Sequence, residues 1–248
     1  MEPAPDVEVV VAHDERATLR VGGVFIKVDG DPARLAAEVA AMHAAPVPTA
    51  EILWHEPPAL ALQALDGAPL GRLGEASNAS PAAWQAAGAA IRVLHTAPPP
   101  ERKGRSIAAL AERLTEECAW LEANDVLPPE VVERNRRLAE DVFTGWRPVF
   151  VHGDLQIDHV FVADDEVTGI LDWSEASQGD AHADLATLTL GEPERLDDVL
   201  AGYGPGIDRD RVQAWWSLRC LLNVRWLSDH GFGPPELMPE VAVLRGAG

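Results

Sequence analysis

The stretch VHGDLQIDHVFV, residues 151–162, sets two histidines and two aspartates between two short apolar runs. The flanks have strand length, which predicts buried strands at Pro148–Val151 and Val160–Val162. A Gly-Asp turn joins them and carries the polar side chains at its mouth. A little further on, Thr168-Gly-Ile-Leu-Asp172-Trp is another apolar run that ends in an aspartate. Three carboxylates and two imidazoles gathered this way need a metal or a proton-transfer task to offset their mutual repulsion. The residues alone leave both uses open.

Upstream, Val7–Ala12, Ala17–Val21 and Val24–Val28 read as strands, the last two turning through Gly22-Gly23. Asp31-Pro32 supplies an N-cap and a first-turn proline for a helix over Ala33–Ala45. Ile52–Trp54 and Leu60–Leu65 predict two further strands across Glu56-Pro57-Pro58. After Asp66-Gly67 the texture turns helical, with helices expected over Ser80–His95, Ser106–Ala123, Pro128–Val142, Asp180–Leu190, Pro193–Ala201 and Asp208–Asp229. The expected architecture is α+β and bilobal: residues 1–65 as a small antiparallel β lobe with one helix, residues 66–248 as a larger, mainly helical lobe.

With 248 residues and 47% apolar composition, the chain can bury a real core. The formal charge of −20 opposes nucleic-acid binding and would draw a cationic partner. No apolar run reaches membrane-spanning length, and the acidic start MEPAPDVEVV lacks signal-peptide order. With only Cys118 and Cys220, a disulfide framework is not expected and a reducing cytoplasm is. Lys27 and Lys103 are the only lysines. Lys27 lies inside a strand, while Glu38 falls on the apolar stripe of the following helix, where a carboxylate needs a partner. Lys27 is the obvious one.

His152-Gly-Asp154, then Ile170-Leu-Asp172-Trp, then Gly179-Asp180-Ala-His-Ala-Asp184-Leu, in this order and spacing, resemble the aminoglycoside phosphotransferase family. The resemblance implies a protein-kinase-like fold and transfer of the γ-phosphoryl group of ATP or GTP to a hydroxyl of a small acceptor. It implies that Asp154 accepts the acceptor's proton, that Asp172 holds Mg2+, and that the Lys27–Glu38 pair orients the lysine toward the nucleotide phosphates. His152 would brace the loop and Asp184 would anchor it from behind. Asp180 reads as the N-cap of the helix it precedes. Gly153, where protein kinases carry an arginine, and the short path from Asp172 to Asp184 both point to a small acceptor rather than a protein.

The chain departs from the family in two places. His159 stands where the family has a magnesium-binding asparagine, although magnesium prefers oxygen ligands. Asp158 or water would then supply the missing oxygen, or His159 would bind through nitrogen, or that metal position would be weak, or the imidazole would only hydrogen-bond the loop. The phosphate loop, His13-Asp-Glu-Arg16, has no glycine motif, which leaves Arg16 to reach the phosphates. The adenine is expected beside Gln63, Ala64 and Leu65. Glu175, Trp216 and Asp229 are the candidate acceptor residues, suited to a cationic acceptor such as an aminoglycoside-like antibiotic. The rival readings are a nucleotide-binding pseudokinase, a metal-dependent hydrolase built on His152, Asp154, Asp158, His159 and Asp172, and a kinase-shaped interaction protein. Oligomeric state is not encoded in these patterns.

Overall fold

The computed structural model describes residues 7–13, 15–145 and 147–246. Asp14 of the acidic loop and residues 1–6 of the acidic start lie outside the described residues. The N-terminal part is a five-stranded antiparallel sheet formed by β1 (Val7–His13), β2 (Arg16–Val21), β3 (Val24–Asp29), β4 (Ile52–Glu56) and β5 (Ala59–Gln63), in the order β1-β2-β3-β5-β4. Gly22, at φ +59°, closes the β2–β3 hairpin with Val21 opposite Val24. Helix α1 (Pro32–Ala44) starts at Asp31, whose carboxylate accepts from the N–H groups of Ala33 and Arg34. It buries Leu35, Glu38, Ala41 and Met42, which fixes the face that meets the rest of the protein. The predicted strand over Leu60–Leu65 runs instead over Ala59–Gln63, with one further in-register bond from the Ala64 N–H to Gly23 O at 2.8 Å.

The remainder is mainly helical: α2 (Pro81–Thr96), α3 (Ile107–Ala123), α4 (Pro129–Glu140), α5 (Ala181–Leu188), α6 (Leu196–Tyr203), α7 (Arg209–Asp229) and α8 (Pro239–Gly246). Numbered on from the first sheet, the strands here are β6 (Ala68–Pro69), β7 (Val149–Val151), β8 (Val160–Ala163), β9 (Glu166–Ile170) and β10 (Ser177–Gly179). They form two small sheets, β10-β7 and β6-β8-β9. Two predicted helices break into tighter turns: Pro193–Arg195 is a 3-10 turn ahead of α6, and Asp141–Phe143 is one after α4.

One apolar core runs from the sheet into the helices, taking in Leu35, Met42, Leu60, Trp84, Phe150, Ile170, Trp173 and Leu185. A second sits between α3, α4, α7 and α8, around Leu114, Leu121, Val132, Leu218, Leu221 and Leu244. Trp173 is fully buried, donates its indole N–H to Ile170 O at 2.8 Å, and lies in the 3-10 turn Trp173–Glu175 against which α1 packs. Burying such side chains stabilises by roughly 2–3 kcal/mol each, and this one also fixes where the residue before it points. That residue is Asp172.

Candidate active site

Lys27, on β3, lies opposite Leu60 of β5 and reaches across to α1. Its ammonium donates to Glu38 Oε1 at 2.5 Å and to Asp172 Oδ1 at 3.2 Å, joining two carboxylates from opposite parts of the chain. Burial disfavours the ammonium, but Asp172 and Glu38 outweigh it and hold the Lys27 pKa above its usual value. For Asp172 burial acts upward and is overcome by Lys27 and His159, leaving the carboxyl well below the ordinary range. Asp172 adopts φ 63°, ψ 63°, a left-handed conformation that costs a non-glycine residue on the order of 1–3 kcal/mol. The kink turns its carboxylate out of the β9 direction and toward Lys27.

The loop after β7 is held from behind by Asp184 of α5. This fully buried carboxylate accepts from the His152 N–H at 2.7 Å and the Gly153 N–H at 2.9 Å. His95 Nε2 donates to it at 3.1 Å, and His95 Nδ1 in turn accepts from the Tyr203 hydroxyl at 3.1 Å. Burial raises the Asp184 pKa, and the hydrogen bonds it accepts, that from His95 foremost, more than reverse the effect. His152 uses both ring nitrogens: Nε2 donates to Leu171 O at 2.8 Å and Nδ1 accepts from the Asp154 N–H at 3.3 Å. Gly153 has φ +86°, and a Cβ there would meet Glu175 O at 2.4 Å. Only glycine fits between the loop and the turn that follows Asp172.

Asp154 receives Arg219 Nη2 of α7 at 2.6 Å, and Gln156 Nε2 at 2.9 and 3.0 Å on its two oxygens. Burial pushes this carboxyl up, and Arg219, His159 and Gln156 together bring it below its usual value. His159 lies between the two aspartates. Its Nδ1 donates to Asp154 O at 2.8 Å, while Nε2 stands 3.9 Å from Asp172 Oδ2 and 4.0 Å from Asp158 Oδ1. Asp158 Oδ1 is buried without a hydrogen-bond partner.

Lys27, Glu38, Asp154, Asp158, His159 and Asp172 are therefore brought into one connected group. Other predicted residues are placed differently. Arg16 is exposed at the start of β2, opposite Asp29. Its neighbour Glu15 points outward, toward Arg34 at 3.7 Å. The Gln63 and Ala64 N–H groups already donate to Glu51 O and Gly23 O, so neither is free for a base edge, and the Leu65 side chain lies against Gly169. Glu175 is exposed, with Arg102 at 4.0 Å. Trp216 is half-buried, its indole N–H turned to α5 and donating to Ala186 O at 3.0 Å. Asp229 pairs with Arg225 at the end of α7, ten residues or about 15 Å beyond Arg219. Arg219 and Gln156 hold Asp154, and of the two Gln156 was not singled out by the spacing. Arg219 was visible only as a charge on a tryptophan-rich helix, because its contact spans 65 residues.

The geometry weakens the hydrolase alternative, because His152, one of its five residues, has both ring nitrogens engaged with the backbone and none left for a metal.

Comparison with known proteins agrees with the fold. A family model described as "Phosphotransferase enzyme family" matches residues 26–215. Aminoglycoside phosphotransferase APH(3'')-Id from Streptomyces rimosus is 25% identical, with 88% of this chain and 93% of that one aligned at a TM-score of 0.65. Macrolide 2'-phosphotransferase MphH from Brachybacterium faecium is 18% identical over 97% and 92%, at 0.69. APH(2'')-IIia, in its GDP and kanamycin complex, is 15% identical over 98% and 93%, at 0.73. The chain belongs to the phosphotransferase enzyme family, has its protein-kinase-like fold, and is an enzyme that transfers phosphoryl groups to a hydroxyl of a small molecule.

Proposed function

We propose that the protein transfers the γ-phosphoryl group of ATP or GTP to an alcohol of a small acceptor, with residues 1–65 forming the nucleotide lobe and 66–248 the catalytic and acceptor lobe. The observation that carries this reading is the Glu38–Lys27–Asp172 chain, which holds the half-buried strand lysine against the aspartate that follows β9. Such a chain has no use in a scaffold, and it is the arrangement that positions a triphosphate. The acceptor oxygen attacks the γ-phosphorus as the bond to the bridging oxygen of the nucleotide breaks, and the acceptor proton passes to Asp154. In a loose transition state that proton moves late, so a base held below its usual pKa by Arg219 still serves.

A divalent cation fits the donors present: Asp172 Oδ2 faces His159, and the buried Asp158 Oδ1 lacks a partner. When bound, the cation would neutralise developing charge on the phosphates; Asp172 would hold it, with His159 and Asp158 beside it. Use of ATP or GTP is supported by relatives solved with ADP and streptomycin and with GDP and kanamycin. A cationic, hydroxyl-rich acceptor is favoured by the −20 charge and by the exposed Glu175. Two unpaired buried cysteines favour a reducing compartment such as the cytoplasm.

The test is nucleotide consumption across aminoglycosides, other antibiotics and primary metabolites, with the wild type and Asp154→Asn. Turnover that falls by about 10²–10⁴ in the variant while nucleotide affinity holds supports the reading. Nucleotide binding without turnover on any acceptor would instead establish a pseudokinase.

A further inference from the structure

We propose that a cleft on the rear of the helical part, behind the loop after β7, binds a small phosphoryl-bearing anion through Arg92 and Arg147. The cleft encloses about 450 Å3 between the end of α2, the approach to β7, the end of α6 and the first turns of α5 and α7. That is the size of a small-molecule site. It shares no residue with the group around Lys27, Asp154 and Asp172, so the proposal does not depend on the phosphotransferase reading. The buried pair His95 and Tyr203 forms its inner wall, and an occupant would lie against the hydrogen bonds that hold Asp184.

Arg92, Arg147 and Arg211 line the cleft, against the carboxylates of Asp180 and Asp208. Most of these charges are already matched. Asp180 accepts from Arg211 and Trp215, each at 2.8 Å, and from His182 at 2.7 Å. Asp208 caps α7 by accepting from the Asp210 N–H at 3.0 Å. His182 is used up as well, since its Nε2 accepts from the Asp208 N–H at 3.2 Å while Nδ1 donates to Asp180. Arg92 and Arg147 differ. Both are exposed, and among the described residues neither pairs with a carboxylate. Arg92 is steered by the Tyr203 ring, whose centroid is 5.2 Å from its guanidinium carbon, and by Pro205 O at 3.2 Å. Those contacts leave most of its five donors unused.

Acids outnumber bases 40 to 20 in this chain, so two guanidinium groups without acidic partners in one concave site stand out. The −20 charge opposes an anion at long range. At physiological ionic strength, however, screening acts within about 8 Å and the two adjacent arginines dominate. Their planar forks match phosphate oxygens. Two guanidinium groups on separate walls also call for about two negative charges and acceptors on several sides, which a phosphoryl group has and a single carboxylate lacks.

The test titrates the full chain with inorganic phosphate and, separately, with glycerol 3-phosphate, by calorimetry and by NMR of 15N-histidine-labelled protein. Binding should move the ring signals of His95 and His182 and leave that of His159 in place, a readout that needs no variant. Replacing both arginines, Arg92→Gln with Arg147→Gln, should weaken binding at least about tenfold, and Arg147→Gln alone should weaken it in part. The urea midpoints of these variants should match the wild type. Tighter binding of the ester would make the occupant a phosphorylated metabolite, and tighter binding of inorganic phosphate would make it the free ion. If neither probe binds by about 10 mM, if only the His159 signal responds, or if the double variant binds as the wild type does, the proposal falls.

Discussion

Asp154 carries a guanidinium and an amide on its carboxylate, so its aim is set by groups that the sequence motif does not contain. Replacing Arg219 with Gln removes the shorter of these contacts and the charge that keeps the carboxyl low. The expected outcome is a kcat reduced by at least about tenfold with nucleotide KM unchanged, measured by steady-state kinetics. Gly153→Ala tests a different constraint. A methyl there would collide with the Glu175 backbone, so the loop and the turn after Asp172 must separate. That substitution should cost about 1–3 kcal/mol, read as a lowered urea midpoint.

Residue types at fixed spacing made Asp154 and Asp172 legible, and a carboxylate on an apolar helix stripe made the Lys27–Glu38 pair legible. The structure shows that pair in contact. Spacing carries no information on contacts between distant elements, which is why the hold of His95 on Asp184 stayed hidden and Arg219 showed only as a charge on a late helix. It carries none on side-chain direction either. Trp216 looked like an acceptor platform, yet its N–H is turned inward to α5.

Among the elements, long helices with caps were readable and so was the apolar β7, while β10 was not. β10 has no pattern of its own and exists because it pairs with β7, in register from Ser177 opposite Val151 to Gly179 opposite Val149. α7 was readable as a helix, but it buries residues almost all the way round, so periodicity marked no outward face on it.

Asp180 ties α5 to α7. It caps α5, and it accepts from His182 at 2.7 Å and from Arg211 and Trp215, each at 2.8 Å. Burial raises its pKa, but these donors bring it from 3.8 down to about 2. A carboxyl depressed by folding stabilises above its unfolded pKa and loses that contribution as pH falls through the folded value. The window is therefore about pH 4 down to 2, and the contribution about 2 kcal/mol. Asp180→Asn should lower the urea midpoint at pH 7 and flatten the acid-side loss of stability between pH 4 and 2.

At the scale of the molecule, the −20 charge acts on everything that approaches. It should concentrate cationic acceptors and repel nucleoside triphosphates. Raising ionic strength from 10 to about 150 mM shortens the screening length to roughly 8 Å. The KM of a cationic acceptor should then rise severalfold, and that of ATP should stay level or fall. Kinetics at the two salt concentrations decide it, and a salt-insensitive acceptor KM would argue for a neutral acceptor.

Between Asp172 and Asp184 the chain has room for one 3-10 turn, the strand that pairs with β7 and the start of α5. That span holds no long loop of the kind a covalent mark could rearrange, and the expected consequence is a catalyst competent as soon as the chain has folded. Protein produced in a cell-free system without other kinases should show full specific activity from the first turnover.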